Sequence, residues 1–484
     1  MTIWGTTSSS GAGAVDAVVV GAGPNGLAAA ITLARAGRSV TVLEAGPEPG
    51  GGLRSAELTL PGFVHDICSA IHPLGVGSPF FQSLGLERHG LRWIEPEVAL
   101  AHPIDGGRAG ALYRSLDETI AHMGVDGKAF RRWIGTHTRA WDDLTPALLG
   151  PMTRLPKHPF ALGRFGIPSL APATLFGTRI FETEEARGLF AGCAAHAFMP
   201  LSSPMTSSFG IMLAASAGAV GWPMVAGGSS GLADALVAEL TAHGGTVECG
   251  RRVSSMDDLP PHRAVLFDIA PRQVAAIAGD ALGPRYRRRL ERFRLGPAVF
   301  KVDHALSGPV PWDAQECRKA GTVHLGGTIG EIAESERAVA DGRIHDRPFM
   351  LVAQQSLADP SRAPAGQHTL WSYCHIPNGS TEDMTERIEA QIERFAPGFR
   401  DLILARHVAG PAWYERHNGA YIGGDITGGA YDGLQVLFRP TIGRAYRTSN
   451  PSLFLCGAAT PPGGGVHGMC GHHAANVALK TALR

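Results

Sequence analysis

The sequence predicts an α/β chain in which one domain, built on a parallel sheet, is interleaved with a second domain of α+β type. Three observations carry this. An apolar strand, a glycine turn, a helix and a second strand ending in an acid open the chain in AVVVGAGPNGLAAAITLARAGRSVTVLEAG. A helix, a turn and a strand follow mid-chain in SSGLADALVAELTAHGGTVECGRRV, and a strand, a Gly/Pro loop and a helix close it in SLFLCGAATPPGGGVHGMCGHHAANVALKTAL. Units that share one sheet but stand at the start, middle and end of a chain require insertions between them, and these supply the second domain.

In the first unit Gly21 permits a tight turn, Gly23 lets a pyrophosphate approach the backbone, and Gly26 allows close packing of helix on strand. The helix N-terminus, where Asn25 lies, then faces the phosphates. Glu44 follows Gly21 by 23 residues, where a carboxylate can accept both hydroxyls of an adenosine ribose. The unit reads as a dinucleotide site rather than a bare glycine-rich turn, because strand, helix, second strand and acid fall in order. The further cluster Gly50, Gly51 and Gly52 is more than NAD needs and suits a longer cofactor whose pyrophosphate is wrapped from two sides.

Glu44 followed six residues later by Gly50 and Gly51, and then by Ser55, resembles the FAD-dependent amine oxidase and phytoene desaturase superfamily. Many members carry Arg directly after the glycine pair; here Gly52 stands there and Arg54 comes two residues on. The resemblance is therefore closer to the desaturase-like branch labelled pyridine nucleotide-disulfide oxidoreductase domain-containing proteins. It implies a Rossmann-like FAD-binding domain interleaved with an α+β substrate domain. Gly21, Gly23, Asn25, Gly26, Glu44, Ala45, Gly51, Gly52, Leu53 and Arg54 are then expected around the cofactor. In the mid-chain unit the periodic Leu232, Leu236, Val237 and Leu240 lead through Gly244 and Gly245 into a strand expected to end near Val253, whose backbone the resemblance places at the adenine. In the last unit it places Gly457, Val466, Gly468 and Met469 along the flavin ring and ribityl chain, with a helix beginning near His467.

The FAD domain is thus expected from residues 15–75, 225–300 and 440–484, and the substrate domain from 76–224 and 301–439. The first insertion reads as helix-rich with Pro/Gly breaks, the second as strand-like runs (AVFKVDHAL, PFMLVAQQSL, HTLWSYCHI) with one amphipathic helix, TERIEAQIERF. Residues 209–226 carry no charge, but three glycines and Pro223 make them a buried helix, not a spanning one. Residues 1–14 read as a flexible Ser/Gly/Thr-rich leader.

With 484 residues the chain exceeds one hydrophobic core, and with 18% charged residues it reads as a well-buried enzyme, not a charged scaffold. Zero formal net charge excludes bulk nucleic-acid binding. Seven scattered cysteines without a CxxC imply a reducing, cytoplasmic setting, with no disulfide framework and no metal site. RYRRRLERFR at 285–294 sets Tyr286, Leu290 and Phe293 on one stripe among arginines, a candidate peripheral membrane contact against the plainer reading of a solvated face.

No second GxGxxG follows a strand, and no CxxxxC exists, so neither a separate NAD(P)H domain nor disulfide relay is expected. The substrate then meets the flavin directly, and oxygen, a quinone or a second substrate completes the cycle. His467, Tyr421 and His72 are the catalytic candidates, with His65, Asp66, Asp425 and Tyr431 near the cleft. The reading is an FAD-dependent oxidoreductase moving a hydride between flavin N5 and a mainly apolar polyene, isoprenoid or lipid-like substrate. The alternatives are an amine or amino-acid oxidase, and an FAD-stabilised scaffold or non-redox isomerase. Trp413, Tyr414 and Tyr421 do not make an evident aromatic cage for an amine.

Overall fold

The computed structural model describes residues 14–151, 156–436, 438–441 and 443–484. The leader up to residue 13, and residues 152–155 of the Pro/Gly-broken segment, lie outside the described residues. Val15–Val20 is apolar through its last four positions and sits at the centre of an all-parallel five-stranded sheet. The strand order is Leu453–Leu455, His262–Phe267, Val15–Val20, Val40–Leu43, Thr246–Glu248. Continuous apolar runs mark strands covered on both faces.

The helix Pro24–Arg35 opens with proline at its first position, which needs no N–H partner, and is buried from Asn25 through Ala34. Apolar all round, it packs between the sheet, the helix Ser230–Ala242 and the terminal helix Met469–Leu479. At Gly471 a Cβ would stand 1.8 Å from the Asn25 carbonyl oxygen, so only glycine lets the last helix lie against the first.

A seven-stranded sheet lies apart, in the order Ile403–Ala409, Ala298–Leu306, His368–Ile376, Met350–Ala353, Ala320–Leu325, Val98–Ile104, Arg108–Leu112. All its pairings are antiparallel except Ala320–Leu325 with Val98–Ile104. Side chains alternate between faces along each strand. Phe300, Val302, Leu370, Cys374, Met350 and Val352 therefore go to one face, where they pack with Ile388, Ile392 and Phe395 of the helix Thr385–Phe395. Lys301, Asp303, Trp371, Tyr373, Leu351 and Ala353 go to the other.

Several boundaries differ from expectation. The strand after Gly245 ends at Glu248, five residues short of Val253, because Gly250 turns the chain at φ +70°. The last helix starts at Met469 rather than near His467, because Gly468 takes a left-handed φ of +67°. The first insertion, read as helix-rich, also supplies Val98–Ile104 and Arg108–Leu112. The uncharged stretch forms the helix Thr206–Ala219 and the short strand Met224–Val225. No described helix is long and apolar enough to cross a membrane.

Candidate active site

A cavity of about 620 Å³ is lined by residues of both sheets and the loops between them. One end is built from the glycine turns, Glu44, Val253 and Asp268; the other from Phe198, Phe209, Trp222, Leu351, Trp371 and Tyr373. The charged side chains on its wall are Glu44, Arg54, Arg251, Arg252, Asp268, Arg416 and Asp425, and none of the residues named at the aromatic end is charged.

At the glycine end, Glu44 leaves the strand Val40–Leu43 nearly buried; its Oε2 accepts the Ala22 N–H at 2.8 Å and its Oε1 the Gly46 N–H at 2.7 Å. These donors fix the carboxylate as an acceptor at the strand's carboxyl end. The two glycine clusters touch: a Cβ on Gly51 would meet Gly23 Cα at 3.0 Å, and one on Gly52 the Tyr421 hydroxyl at 2.6 Å. Arg54 is buried, and its Nε donates to the Gly51 carbonyl at 3.2 Å, so it braces the second cluster. Gly21, Gly23, Asn25, Ala45, Gly51, Gly52, Val253, Gly457 and Val466 line the cavity together with Glu44 and Arg54. Gly26, Leu53, Gly468 and Met469 do not; they pack behind it, Gly26 because its N–H is turned to Asp268 at 2.7 Å.

Of the three catalytic candidates, Tyr421 and His72 line the cavity and His467 does not. The left-handed Gly468 folds the His467 ring back, and its Nδ1 accepts the Met469 N–H at 3.0 Å. Burial pushes its pKa down to about 4, against the carbonyls of Gly463 and Gly464, which favour the protonated ring. The ring is a neutral brace at the helix start, not a group beside the ligand space. His72 is neutral for the same reason, its pKa lowered to about 4 by burial, and its Nε2 lies 2.9 Å from Ser229 Oγ. Burial and the neighbouring Cys68 lift the Tyr421 phenol well above its ordinary value, so it keeps its proton.

Other singled-out polar residues organise the backbone. Asp425 accepts the Gly296, Thr427 and Gly429 N–H groups at 2.7–2.8 Å, and Tyr431 the Gly464 N–H. His65 lies off the cavity, 2.8 Å from Thr59 Oγ1, with its pKa brought to about 4, first by burial. Asp66 accepts from Arg362 Nη2 at 2.9 Å, both fully buried; burial alone would raise its pKa, but the guanidinium and the Ser229 N–H bring it below the usual range. Behind the wall Lys301 Nζ donates to Asp303 Oδ1 at 2.6 Å. Trp413 does not line the cavity, and the Tyr414 hydroxyl donates to the Ile67 carbonyl.

Three groups escaped sequence reasoning. Asp268, just past the strand His262–Phe267, stands under the glycine turn: a Cβ on Gly23 would meet its Oδ2 at 2.7 Å and one on Gly457 its Oδ1 at 2.9 Å. Burial lifts its pKa to about 7, helped by Glu44 and opposed by the Gly26 and Gly23 N–H groups. Trp371 and Tyr373, edge to face with centroids 4.9 Å apart, share the cavity face of their strand. The alternation in HTLWSYCHI is the signal that could have found them. His196, one residue past the helix Glu184–Ala195, also lines the aromatic end.

Residues 19–84 match a family described as NAD(P)-binding Rossmann-like domain. Over 96% of this chain and 93% of the relative, the sequence is 26% identical to pyridine nucleotide-disulfide oxidoreductase domain-containing protein 2 of Rattus norvegicus. It is 34% identical to hydroxyneurosporene desaturase of Cereibacter sphaeroides over 33% of each chain. A triple mutant of putrescine oxidase superposes with a TM-score of 0.60 at 18% identity, covering 96% of this chain and 99% of that one. The chain is thus similar in sequence to desaturase-type and pyridine nucleotide-disulfide oxidoreductase-type proteins, and in fold to amine oxidases. It is an oxidoreductase, and its parallel sheet is a Rossmann-like unit.

Proposed function

We propose that this protein belongs to the FAD-dependent amine oxidase and desaturase superfamily, binds FAD along the cavity and uses it to exchange a hydride with a mainly apolar carbon substrate of polyene, isoprenoid or lipid-like kind. The observation that carries the proposal is the division of one continuous cavity: a glycine and carboxylate cradle at one end, an aromatic chamber without a charged side chain at the other. The cradle fits a dinucleotide. Glu44 is set to accept ribose hydroxyls, the helix Pro24–Arg35 points its N-terminus inward, and a Cβ at Gly51 or Gly52 would strike Gly23 or the Tyr421 hydroxyl, so only glycine lets the two turns close on one space. When bound, FAD supplies the two-electron acceptor or donor.

The chain's own residues do the rest. Trp222, Leu351, Trp371 and Tyr373 bury an apolar skeleton and exclude water, a gain of about 25 cal/mol for each Å² of apolar surface covered. Tyr421 holds a proton on its hydroxyl above Gly52 without releasing it. An amine would enter as a cation, and the aromatic end offers it no carboxylate, so the amine oxidase reading is the weaker one. Reoxidation by oxygen or a quinone fits the lack of a second dinucleotide motif in the sequence.

The test is anaerobic absorbance of the purified protein against polyenes, saturated lipid analogues, aliphatic amines and amino acids. Bleaching of bound flavin by an apolar class supports the proposal. Bleaching by amines alone, or a protein that takes up no flavin, overturns it.

A further inference from the structure

The aromatic end of the cavity contains one polar device that the reading above leaves unused. His196 lines the cavity wall, and its Nε2 stands 3.1 Å from Nε2 of His324, which is fully buried behind it. The pair is placed by two elements. His196 follows the last turn of the helix Glu184–Ala195, and His324 lies on the strand Ala320–Leu325, on the face that carries Thr322 toward the cavity. A Cβ on Gly192 would come within 2.7 Å of His324 Nδ1, so a glycine one turn before His196 is what lets helix and strand approach closely enough for the two rings to meet.

Burial holds both rings neutral, His196 at about 3 and His324 well below its ordinary value. Two neutral imidazoles meeting through Nε2 must divide the roles: one donates and the other accepts. The Nδ1 of His324 has no partner among the described residues. If that atom carried the proton, an orphaned N–H would be buried, which proteins tolerate less than an under-used acceptor. The favoured arrangement therefore has His324 donating through Nε2. His196 then carries its proton on Nδ1, an atom with no protein partner among the described residues. This free His196 N–H is an uncharged donor, so the chamber asks for an acceptor.

We propose that the substrate carries an uncharged oxygen, as a ketone, aldehyde, ether or alcohol, on its apolar skeleton, and that His196 holds this oxygen with His324 fixing the donor. The inference rests on the proposed function, since it names the substrate class of the same cavity. An ammonium group would bring a second donor against the His196 N–H. A carboxylate would find no free cation on the wall, since Lys301, over Trp371 at 5.8 Å, is already paired with Asp303. A pure hydrocarbon would leave the donor unpaired.

The test is a tryptophan-fluorescence titration of purified protein with 2-octanone, 1-octylamine and octanoate, which share a chain and differ in the head group. Trp222 and Trp371 on the cavity wall report binding without turnover. Wild type is expected to bind 2-octanone at least tenfold more tightly than 1-octylamine or octanoate. His196→Phe is expected to lose about tenfold for the ketone, the worth of one hydrogen bond. His196→Asn, which retains an N–H donor, recovers part of that loss, and His324→Phe shows an intermediate one. Equal ketone binding by wild type and His196→Phe, tighter binding of 1-octylamine than of 2-octanone, or no ketone binding by wild type would each overturn the inference. Flavin content is read from the absorbance of the same samples. A flavin-free protein thus sinks the functional reading while the head-group comparison still decides this one.

Discussion

Replacing Asp268 with Asn isolates one carboxyl group that the fold holds against its preference for water. In the native protein its pKa is raised to about 7 from the ordinary 3.8, mainly by burial. The native state therefore keeps a proton that the unfolded chain releases above about pH 4. Native binds more protons than unfolded across this window, so stability falls as pH rises from about 4 to 7 and levels off above. At about 1.4 kcal/mol per pH unit the loss attributable to this group reaches at most about 4 kcal/mol, with cavity water reducing it. Asn keeps the acceptor for the Gly26 N–H, bonded at 2.7 Å in the native protein, and removes the charge. The stability difference between variant and wild type should then widen by about 3 kcal/mol between pH 5 and pH 8, measured by urea unfolding of the apoprotein. Other titrating groups cancel in that difference. The same charge sits under the turn that would receive a pyrophosphate, so FAD retention by wild type should weaken above pH 7 while the variant retains it. A difference constant from pH 5 to pH 8 would refute the reasoning, since it would mean that Asp268 titrates as it does in the unfolded chain.

Glu44→Gln can present one oxygen to the Ala22 and Gly46 N–H groups and must oppose the other with its own NH₂. A loss of about 2 kcal/mol, roughly thirtyfold in FAD affinity, is expected by equilibrium ultrafiltration. Arg362→Leu strands the buried carboxylates of Asp66 and Asp359 without their guanidinium and should cost about 3–5 kcal/mol in urea unfolding. Because the pKa of Asp66 is held low, its contribution is present above the unfolded pKa and lost as pH falls through the folded one. Tyr286, Leu290 and Phe293 are buried in packing, which leaves the exposed Arg285, Arg288, Arg289, Arg292 and Arg294 to meet an anionic bilayer. Sedimentation with phosphatidylserine vesicles should show binding at low salt that disappears near 0.5 M salt, roughly where charge screening falls below 5 Å. Arg288→Glu with Arg289→Glu should abolish it, and salt-independent binding would sink that contact.

The parallel-sheet unit was legible because its signals are local. Gly21 to Gly26 and Glu44 lie within one strand, helix, strand run, and each has a role that its own backbone neighbours impose. The strands AVFKVDHAL and HTLWSYCHI were legible as runs for the same reason, and appear as Ala298–Leu306 and His368–Ile376. Direction was not legible. His467 stands beside a cavity-lining residue, Val466, yet one left-handed glycine turns its ring into the protein. Val98–Ile104 was missed although it forms a local hairpin with Arg108–Leu112, and its other partner, Ala320–Leu325, lies more than 200 residues away, a contact that leaves no local signal.

By itself the sequence determined the fold class, the interruption of one sheet by long insertions, and a chain built around a glycine and carboxylate turn, since propensity, turn chemistry and apolar period act over a few residues. Only the tertiary structure decided which polar groups share an enclosed, low-dielectric space. Asp268 comes under Gly23, His196 against His324, and Trp371 and Tyr373 onto the same wall through contacts between distant segments. Burial of a titratable or hydrogen-bonding group is set by everything packed around it, and no stretch of sequence carries that information alone.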